Sequence, residues 1–339
     1  MMIDFRSDTV TLPSDEMKDF MFNAPLGDDV FEEDPTINEL ERFSAEMFGM
    51  EAALFCASGT QTNQIAINVH CKPGDEVICS KEAHIYKYEG GGIAKNAGSS
   101  VKLLEGNRGR VAPNDVLKAI NDPDNVHYPL TSLVALEDTM NRGGGAIYNY
   151  EDIALIKKIC DDNKLPLHLD GARLFNSLVE TGIDYKKYAA NFDSISICLS
   201  KGLGAPVGSV LLGSKDFISK SRRIRKVMGG GMRQAGIIAA GGLFALQNNI
   251  ERLKEDHENA RMLGDCFEGL NWIESVVPVD TNIVVANLNS QKTVEEVINK
   301  LEQNDILAMP FGDQMIRLVT HLDISKNDID RAISVIKSI

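Results

Sequence analysis

The sequence predicts an α/β protein with a mostly parallel central sheet and a smaller second domain. Between about residues 50 and 215, short apolar runs alternate with longer amphipathic segments, which is typical of strands alternating with helices. The runs are nearly continuous in apolar residues, as expected when helices cover both faces of a parallel sheet. The length of 339 residues also exceeds the usual size of one domain.

Seven segments of this region read as strands because they are short, apolar and rich in β-formers. In order they are AALFCAS, EVICS, SVKLLE, SLVALED, LPLHLDG, SISICLS and GSVLLGS. The segments TQTNQIAINVHC and NYEDIALIKKICDDN show the three-to-four spacing of helices. Such sheets bind ligands at the carboxyl ends of their strands, so chemically active residues are expected there.

The pattern changes after a long helical stretch at residues 236–270. TNIVVANL, DILAMP and MIRLVT predict strands, and residues 294–303 and 326–337 predict helices, which together indicate a compact α+β unit. We therefore predict an N-terminal arm and large, cofactor-binding domain at residues 1–250 and a small domain at residues 251–339.

Composition and charge argue against several classes of protein. A net charge of −14 disfavours nucleic acid or an anionic membrane as a partner. Asp4 and Asp8 lie where a secretory signal would need an apolar core, and the apolar stretch 236–246 is too short to span a bilayer. Six cysteines without a CxxC pair or metal-finger spacing predict reduced, buried thiols in the cytoplasm and no metal site.

Two polar motifs follow predicted strands. Ser58, Gly59 and Thr60 form a small, hydroxyl-rich turn that opens a helix, where free backbone N–H groups suit a phosphate, although such residues also cap helices without a ligand. In LHLDGAR, Asp170 ends a strand and is either poised in a cleft or caps the next helix. Arg173 has the fork geometry that binds a carboxylate.

A third motif places Lys201 after the strand SISICLS, where glycines clear the space around it. A solvated side chain is the ordinary alternative, but a desolvated lysine can form a Schiff base. A phosphate cradle, an aspartate and a lysine at successive strand ends fit pyridoxal 5′-phosphate (PLP), which needs all three. No G-x-G-x-x-G follows a strand, so a dinucleotide site is not supported.

Seven segments together resemble the low-specificity L-threonine aldolases, which are PLP enzymes of the aspartate-aminotransferase fold, PLP fold type I. They are SDTVTLPSDEM, GDDVFEEDPTINELE, ASGTQTNQIA, LHLDGARLFN, CLSKGLGAPVGS, GGGMRQAGIIAA and IRLVTHLDIS. The resemblance covers nearly the whole chain in consistent order.

The resemblance implies how the cofactor would be held. Lys201 would attach PLP covalently, His84 would stack on its ring, and Asp170 would bind the pyridine nitrogen. Lys226 and Arg233 would reach the phosphate of a neighbouring subunit, which implies a homo-oligomer, a dimer of dimers. The cofactor-binding set would be Ser58, Gly59, Thr60, His84, Asp170, Arg173, Lys201, Lys226 and Arg233.

The resemblance also implies how the substrate would be held and cleaved. Ser7, Arg173 and Arg317 would bind its carboxylate. His84, His127 or a water would take the β-hydroxyl proton. The implied reaction cleaves the Cα–Cβ bond of L-threonine or L-allo-threonine by a retro-aldol step to glycine and acetaldehyde. The catalytic set would be Lys201, His84, His127, Asp170 and Arg173.

Other readings of the same pattern stay open. A phenylserine-preferring aldolase or a β-eliminating lyase would share the fold and cofactor, whereas a non-catalytic binding protein would not need the intact lysine, aspartate and arginine. Phe31, Asp138 and Met140 replace the tyrosine, asparagine and histidine frequent in the family, which bears on substrate preference. The basic run at residues 222–226 is of the kind that usually forms a solvated helix face.

Overall fold

A computed structural model describes residues 2–339. Its strands, in chain order, are β1 (Ile3–Asp4), β2 (Ala52–Cys56), β3 (Glu76–Ser80), β4 (Ser100–Leu104), β5 (Thr131–Glu137), β6 (Leu167–Gly171), β7 (Ser194–Cys198), β8 (Ser209–Gly213), β9 (Ile273–Val276), β10 (Ile283–Leu288), β11 (Ile306–Leu307), β12 (Met309–Gly312) and β13 (Met315–Val319). Its α-helices are α1 (Asp15–Phe22), α2 (Pro35–Phe48), α3 (Gly59–His70), α4 (His84–Lys87), α5 (Pro113–Ala119), α6 (Tyr150–Asp162), α7 (Leu174–Thr181), α8 (Tyr185–Ala189), α9 (Lys215–Val227), α10 (Gly236–Asn248), α11 (Leu253–Glu268), α12 (Val294–Glu302) and α13 (Lys326–Lys337).

The central sheet has seven strands in the order β2-β8-β7-β6-β5-β3-β4. Strands β4, β3, β5, β6 and β7 run parallel, and β8 pairs antiparallel with both β7 and β2. The prediction of a mostly parallel sheet is confirmed. The carboxyl ends of β5, β6 and β7 therefore meet at one edge, where Glu137, Asp170 and the chain leading to Lys201 lie.

A second, antiparallel sheet has the order β12-β13-β10-β9 and packs with the C-terminal helices. The N-terminal strand joins this part of the molecule, because Ile3 pairs with Ile306 and the backbone N–H of Phe5 donates to Leu307 at 2.8 Å. Ile3 and Phe5 are buried in the same apolar core as Phe267 and residues of β10. Residues 3–12 thereby run from the small sheet to the edge of the large one.

Two predicted elements are divided in the structure. The helical stretch at residues 236–270 is two helices, α10 and α11, with a turn between them. The predicted strand DILAMP is also two strands, because β11 pairs with β1 while β12 pairs with β13 in a different sheet. Periodicity cannot show this division, since both pieces are short and apolar.

The six cysteines are free and buried, as the sequence predicts. Burial raises the pKa of several of these thiols, that of Cys56 to about 12. No helix within residues 2–339 is both long enough and apolar enough to cross a membrane.

Candidate active site

A cavity of about 380 Å³ opens at the carboxyl edge of the central sheet. Its lining combines the segment before the first helix, the loops after β3 and β7, the start of α7, and strands β12 and β13. Five of the predicted site residues line it, namely Ser7, His84, Arg173, Lys201 and Arg317. These residues are far apart in sequence, so only the fold brings them together.

Lys201 is half-buried and faces this cavity rather than open solvent. None of the carboxylates in residues 2–339 forms an ion pair with its ammonium group. Its carbonyl accepts a hydrogen bond from the backbone N–H of Gly204 at 2.8 Å, and Gly204 has a φ of 81°. The glycine therefore makes the tight turn that holds Lys201 at the strand end, since larger residues rarely adopt a positive φ.

Asp170 lies on β6 and is 2% exposed. Its Oδ2 accepts a hydrogen bond from Asn63 Nδ2 at 2.9 Å, and its Oδ1 accepts one from the backbone N–H of Ala172 at 3.2 Å. Helix α7 has no side-chain cap, so Asp170 does not serve as its N-cap. Of the two alternatives open from sequence, the structure shows an aspartate buried at the strand end.

His84 begins α4 and is surrounded by carboxylates. Its Nδ1 lies 3.0 Å from Oε1 of Glu89, and its backbone N–H donates to Oε2 of Glu137 at 2.7 Å. Burial would lower the pKa of His84, but the hydrogen bond to Glu89 and the charges of Asp170, Glu89 and Glu137 raise it overall. Burial, reinforced by the charge of Asp170, raises the pKa of Glu137 to about 7.

Arg173 is paired within the protein. Its Nη2 and Nε donate to Asp8 Oδ1 and Oδ2 at 2.6 and 2.7 Å, and both side chains are buried. Burial alone would raise the pKa of Asp8, but the charge of Arg173 lowers it to about 2. The guanidinium of Arg173 is therefore already neutralised.

Arg317 is the guanidinium of this cavity that lacks a carboxylate. Its Nη1 donates to Asn141 Oδ1 at 3.2 Å and its Nη2 to the carbonyl of Arg6 at 3.0 Å, while its Nε has no hydrogen-bond partner among the described residues. Burial, followed by the charge of Arg173, lowers its pKa to about 10. A buried, charged donor without a partner is unfavourable, so this group is suited to receiving an anion.

The predicted phosphate turn begins α3. Ser58 Oγ accepts the backbone N–H of Gln61 at 3.2 Å, so Ser58 caps the helix, which is the alternative that the sequence left open. A Cβ at Gly59 would lie 2.6 Å from Cys198 Sγ, so the close approach of α3 to β7 requires glycine. Thr60 is exposed at the same helix end.

Lys226 and Arg233, which the resemblance assigns to the phosphate of a neighbouring subunit, do not line the cavity of their own chain. Lys226 lies in the last turn of α9 and is exposed, and Arg233 pairs with Asp28 at 2.9 Å. Their neighbour Arg225 is buried and pairs with Asp29 at 2.6 Å. The interpretation of residues 222–226 as a solvated face is therefore wrong at Arg225.

His127 does not join the site of its own chain. It is exposed in the loop that precedes β5, whereas the cavity lies where β5 ends. The two ends of a strand are on opposite edges of the sheet, so His127 lies away from the cavity of its own chain and its catalytic role stays a prediction. Only another copy of the protein could use it.

The three departures from the family pattern lie outside the cavity. Asp138 is fully buried, and its carboxylate accepts hydrogen bonds from Ser177 at 2.9 Å and Tyr188 at 2.6 Å. Met140 is also fully buried, in the main apolar core. Phe31 is exposed, with the guanidinium of Arg233 6.0 Å from its ring.

The sequence predictions do not include four residues of the site, namely the carboxylates Asp8, Glu89 and Glu137 and the amide Asn63. A signal for Glu137 existed, since it ends strand β5 as Asp170 nearly ends β6, and the two are paired in register. Asn63 lies one turn into α3, on the helix that the phosphate turn opens. Asp8 and Glu89 show no local pattern that separates them from surface carboxylates.

The fold and the site define an enzyme of a known class. Residues 4–291 match the family described as beta-eliminating lyase, which places the chain among lyases. A solved structure of Leishmania major threonine aldolase superposes with a TM-score of 0.85 at 22% identity, covering 99% of both chains, and a serine palmitoyltransferase from Sphingomonas wittichii superposes with 0.79 at 15% identity, covering 99% of this chain and 86% of that one. These likenesses confirm the predicted fold type I architecture.

Sequence relatives identify the branch of that class. The chain is 41% identical over 346 residues to the probable low-specificity L-threonine aldolase 2 of Arabidopsis thaliana, covering 99% of this chain and 97% of that one. It is 40% identical over 328 residues to the low specificity L-threonine aldolase of Escherichia coli (strain K12), covering 97% and 96%. The chain belongs to the low-specificity L-threonine aldolase family.

Proposed function

We propose that this protein is a PLP-dependent aldolase that cleaves L-threonine and L-allo-threonine to glycine and acetaldehyde. The observation that carries the proposal is one cavity that brings together a lysine and an arginine without carboxylate partners and a carboxylate-bound histidine. Family membership supports the same reaction.

The residues present fit PLP. Lys201 offers an amine without an ionic partner, and Asp170 offers a buried carboxylate for a protonated ring nitrogen. Gly59 lets the start of α3 pack closely against Cys198 of β7, beside the strand that leads to Lys201. Thr60 and the first backbone N–H groups of α3 would hold the phosphate. PLP, when bound, supplies an electron-poor ring that takes up the electron pair released from the broken Cα–Cβ bond.

The substrate carboxylate is assigned mainly to Arg317, because Arg173 is already paired with Asp8. Ser7 lines the same cavity beside them, and its Oγ also caps the short 3-10 turn at Asp8–Val10. A fixed carboxylate orients the Cα–Cβ bond for cleavage, and such orientation can lower a barrier by up to about 7–11 kcal/mol.

The β-hydroxyl proton is assigned to His84. His84 lines the cavity, whereas His127 lies at the opposite edge of the sheet. A positioned base of this kind contributes roughly 10²–10⁴-fold to the rate.

We also propose that the protein works as a homo-oligomer, a dimer of dimers, in the cytoplasm. Large apolar side chains are exposed along residues 12–31, including those of Phe22 (80% exposed) and Phe31 (69% exposed). Phe31 also lies close to Arg233. The loop that carries His127 also exposes Val126 and Tyr128. Free, buried cysteines suit a reducing compartment. Light scattering should give a mass near four chains, which Phe22→Asp should reduce.

Product analysis tests the proposed reaction. PLP-reconstituted protein is incubated with each of the four threonine stereoisomers, and the products are measured. We expect glycine and acetaldehyde in equal amounts from the L-isomers. Pyruvate, or 2-oxobutyrate with ammonia, would show a β-eliminating lyase instead, and activity confined to D-threonine would contradict the proposal.

Covalent labelling tests the cofactor. Borohydride treatment of the PLP-loaded protein should fix one pyridoxyl group per chain on the peptide that contains Lys201, as mapped by mass spectrometry. Lys201→Ala should abolish both the label and nearly all turnover. Exposed Lys158→Ala, in α6, serves as the control and should change neither.

A further inference from the structure

We infer that Glu89 is a positioning residue that fixes the proton of His84 on Nδ1 and thereby presents Nε2 to the cavity as the proton-accepting atom. This inference rests on the proposed aldolase function and specifies how its base is prepared. Glu89 follows α4, and its side chain is fully buried.

Two of the three side-chain partners of Glu89 are amide NH₂ groups, which only donate hydrogen bonds. Its Oε1 accepts from Asn63 Nδ2 at 2.9 Å and lies 3.0 Å from His84 Nδ1, and its Oε2 accepts from Gln64 Nε2 at 2.6 Å. An ionised carboxylate only accepts hydrogen bonds, so an ionised Glu89 can bind Asn63, Gln64 and His84 together only if each of them donates. His84 must then carry its proton on Nδ1 when it is neutral.

The two amides cannot readily turn round to change this pattern. The amide oxygen of Asn63 faces His168 Nε2 at 3.1 Å, and that of Gln64 accepts from Asn96 Nδ2 at 3.2 Å. The Nδ2 of Asn63 also donates to Asp170 Oδ2 at 2.9 Å, so turning this amide over would set its oxygen against two carboxylates. Each amide therefore keeps its NH₂ group toward Glu89.

Other charged groups also face His84. The carboxylate of Glu137, at the end of β5, accepts a hydrogen bond from the backbone N–H of His84. The charge of Asp170, on β6, raises the pKa of His84. The ring of Tyr88 lies 5.6 Å away, and the cationic side chains that line the cavity are those of Arg142, Arg173, Lys201 and Arg317. Of the three carboxylates, Glu89 alone forms a hydrogen bond with the imidazole ring.

The arrangement follows the logic of a carboxylate–histidine pair that holds one tautomer. In the proposed step the β-hydroxyl proton moves to Nε2, the O–H electron pair forms the C=O bond of acetaldehyde, and the Cα–Cβ bond breaks. Cα of the glycine product takes up one proton, so protons balance over the cycle. Without the charge of Glu89, Nε2 would be a weaker base.

Histidine titration by NMR tests the inference without relying on turnover. PLP-loaded protein with ¹³C-labelled histidines is titrated, and the His84 signals are assigned by their absence in His84→Asn. The titration midpoint in Glu89→Gln should fall by about one pH unit. Its kcat/KM should fall at least tenfold, with KM little changed, and Glu89→Asp should restore part of both.

The control is Glu76→Gln. Glu76 is also a buried glutamate and binds an amide, that of Asn121 at 2.8 Å, but it lies at the opposite end of β3. It should leave the His84 titration and kcat/KM unchanged. The inference is overturned if His84 titrates alike in Glu89→Gln and Glu76→Gln, or if its neutral form carries the proton on Nε2. A shifted titration in a protein without aldolase activity would instead overturn the proposed function alone.

Discussion

Asp8 and Arg173 form a two-point ion pair in which both side chains are buried, with N–O distances of 2.6 and 2.7 Å. The pair joins the N-terminal segment to the start of α7. Asp8 also accepts a hydrogen bond from Asn282 Nδ2 at 3.3 Å, just before β10. One carboxylate therefore holds together the segment that carries Ser7, the large sheet and the small sheet.

Asp8→Asn should destabilise the protein and raise KM. It leaves the buried guanidinium of Arg173 without a counter-charge and close to Arg317. Removing one partner of a buried pair costs about 3–5 kcal/mol, to be measured by urea unfolding at pH 7. Asp280→Asn, which breaks the partly exposed pair with Arg108, is the control and should cost about 1 kcal/mol or less.

The same ion pair predicts a loss of stability in acid. The pKa of Asp8 in the folded state, about 2, is below its unfolded value of about 3.9. Its contribution is present above pH 4 and is lost as the pH falls toward 2. Unfolding free energies measured between pH 5 and pH 2.5 should converge for Asp8→Asn and the unchanged protein. A constant difference would contradict the assignment.

Arg317→Gln should weaken binding of the amino-acid carboxylate. Arg317 has no carboxylate partner to leave unpaired, so its replacement should affect KM rather than stability. Truncating a charged contact costs about 2–5 kcal/mol, so KM for L-threonine should rise on the order of 10²-fold. Arg261→Gln, at an exposed arginine of α11, should leave KM unchanged. Equal KM values in both variants would be incompatible with the assigned role.

Gly59→Ala should weaken cofactor binding, because its Cβ would collide with Cys198 Sγ. Overpacking of this kind costs about 1–3 kcal/mol of folding free energy. Relief of the contact requires the start of α3 to move, and with it the proposed phosphate-binding N–H groups, so the dissociation constant for PLP, measured by fluorescence, should also rise. Cys198→Ala in the same protein makes room and should restore binding. Gly269→Ala, whose Cβ meets no described atom closer than 3.7 Å, is the control. Failure of the double variant to recover would refute the steric explanation.

Asp138→Asn should stabilise the protein at neutral pH. Burial raises the pKa of Asp138 to about 6, despite hydrogen bonds from Tyr188 and Ser177. A folded pKa above the unfolded one means that stability is fully present below about pH 4 and is lost as the pH rises through about 6. The gain of the variant should therefore grow from pH 5 to pH 8, to at most about 3 kcal/mol. A gain that is the same at both pH values would rule out charge burial as its cause.

The sequence was sufficient for the sheet and for the residues that follow its strands. Apolar runs predict β6 and β7, and they place Asp170 and Lys201 at the carboxyl edge of the sheet. The alternatives, a helix N-cap and a solvated lysine, could be decided only by the structure. Ser7 and Arg317 came only from the family resemblance, since no local pattern links residues so far apart. The structure places both at the cavity.

Contacts that depend on packing could not be predicted. Glu89 lies in the polar segment KYEGGG, where a glutamate is ordinarily exposed, and its role exists only because Asn63 and His84 converge on it. His127 lies near the start of a strand, at the opposite end of the sheet from the cavity, so its predicted role would need a second copy of the chain. The burial of Arg225 could not be predicted either, because this residue lies in a basic run and its ion-pair partner, Asp29, is almost 200 residues away in the sequence.

The pairing of β1 with β11 also sets an order of events during synthesis. The segment that carries Ser7 and Asp8 leaves the ribosome before the strand that receives it, Ile306–Leu307, which is made about 300 residues later. At about 5–20 residues per second, the first strand waits about 15–60 s for its partner. Arg173 emerges during that interval without its counter-charge in place. The nascent protein can thus build its central sheet early, but the proposed substrate-binding segment at Ser7 reaches its place only after residues 306–307 have been made.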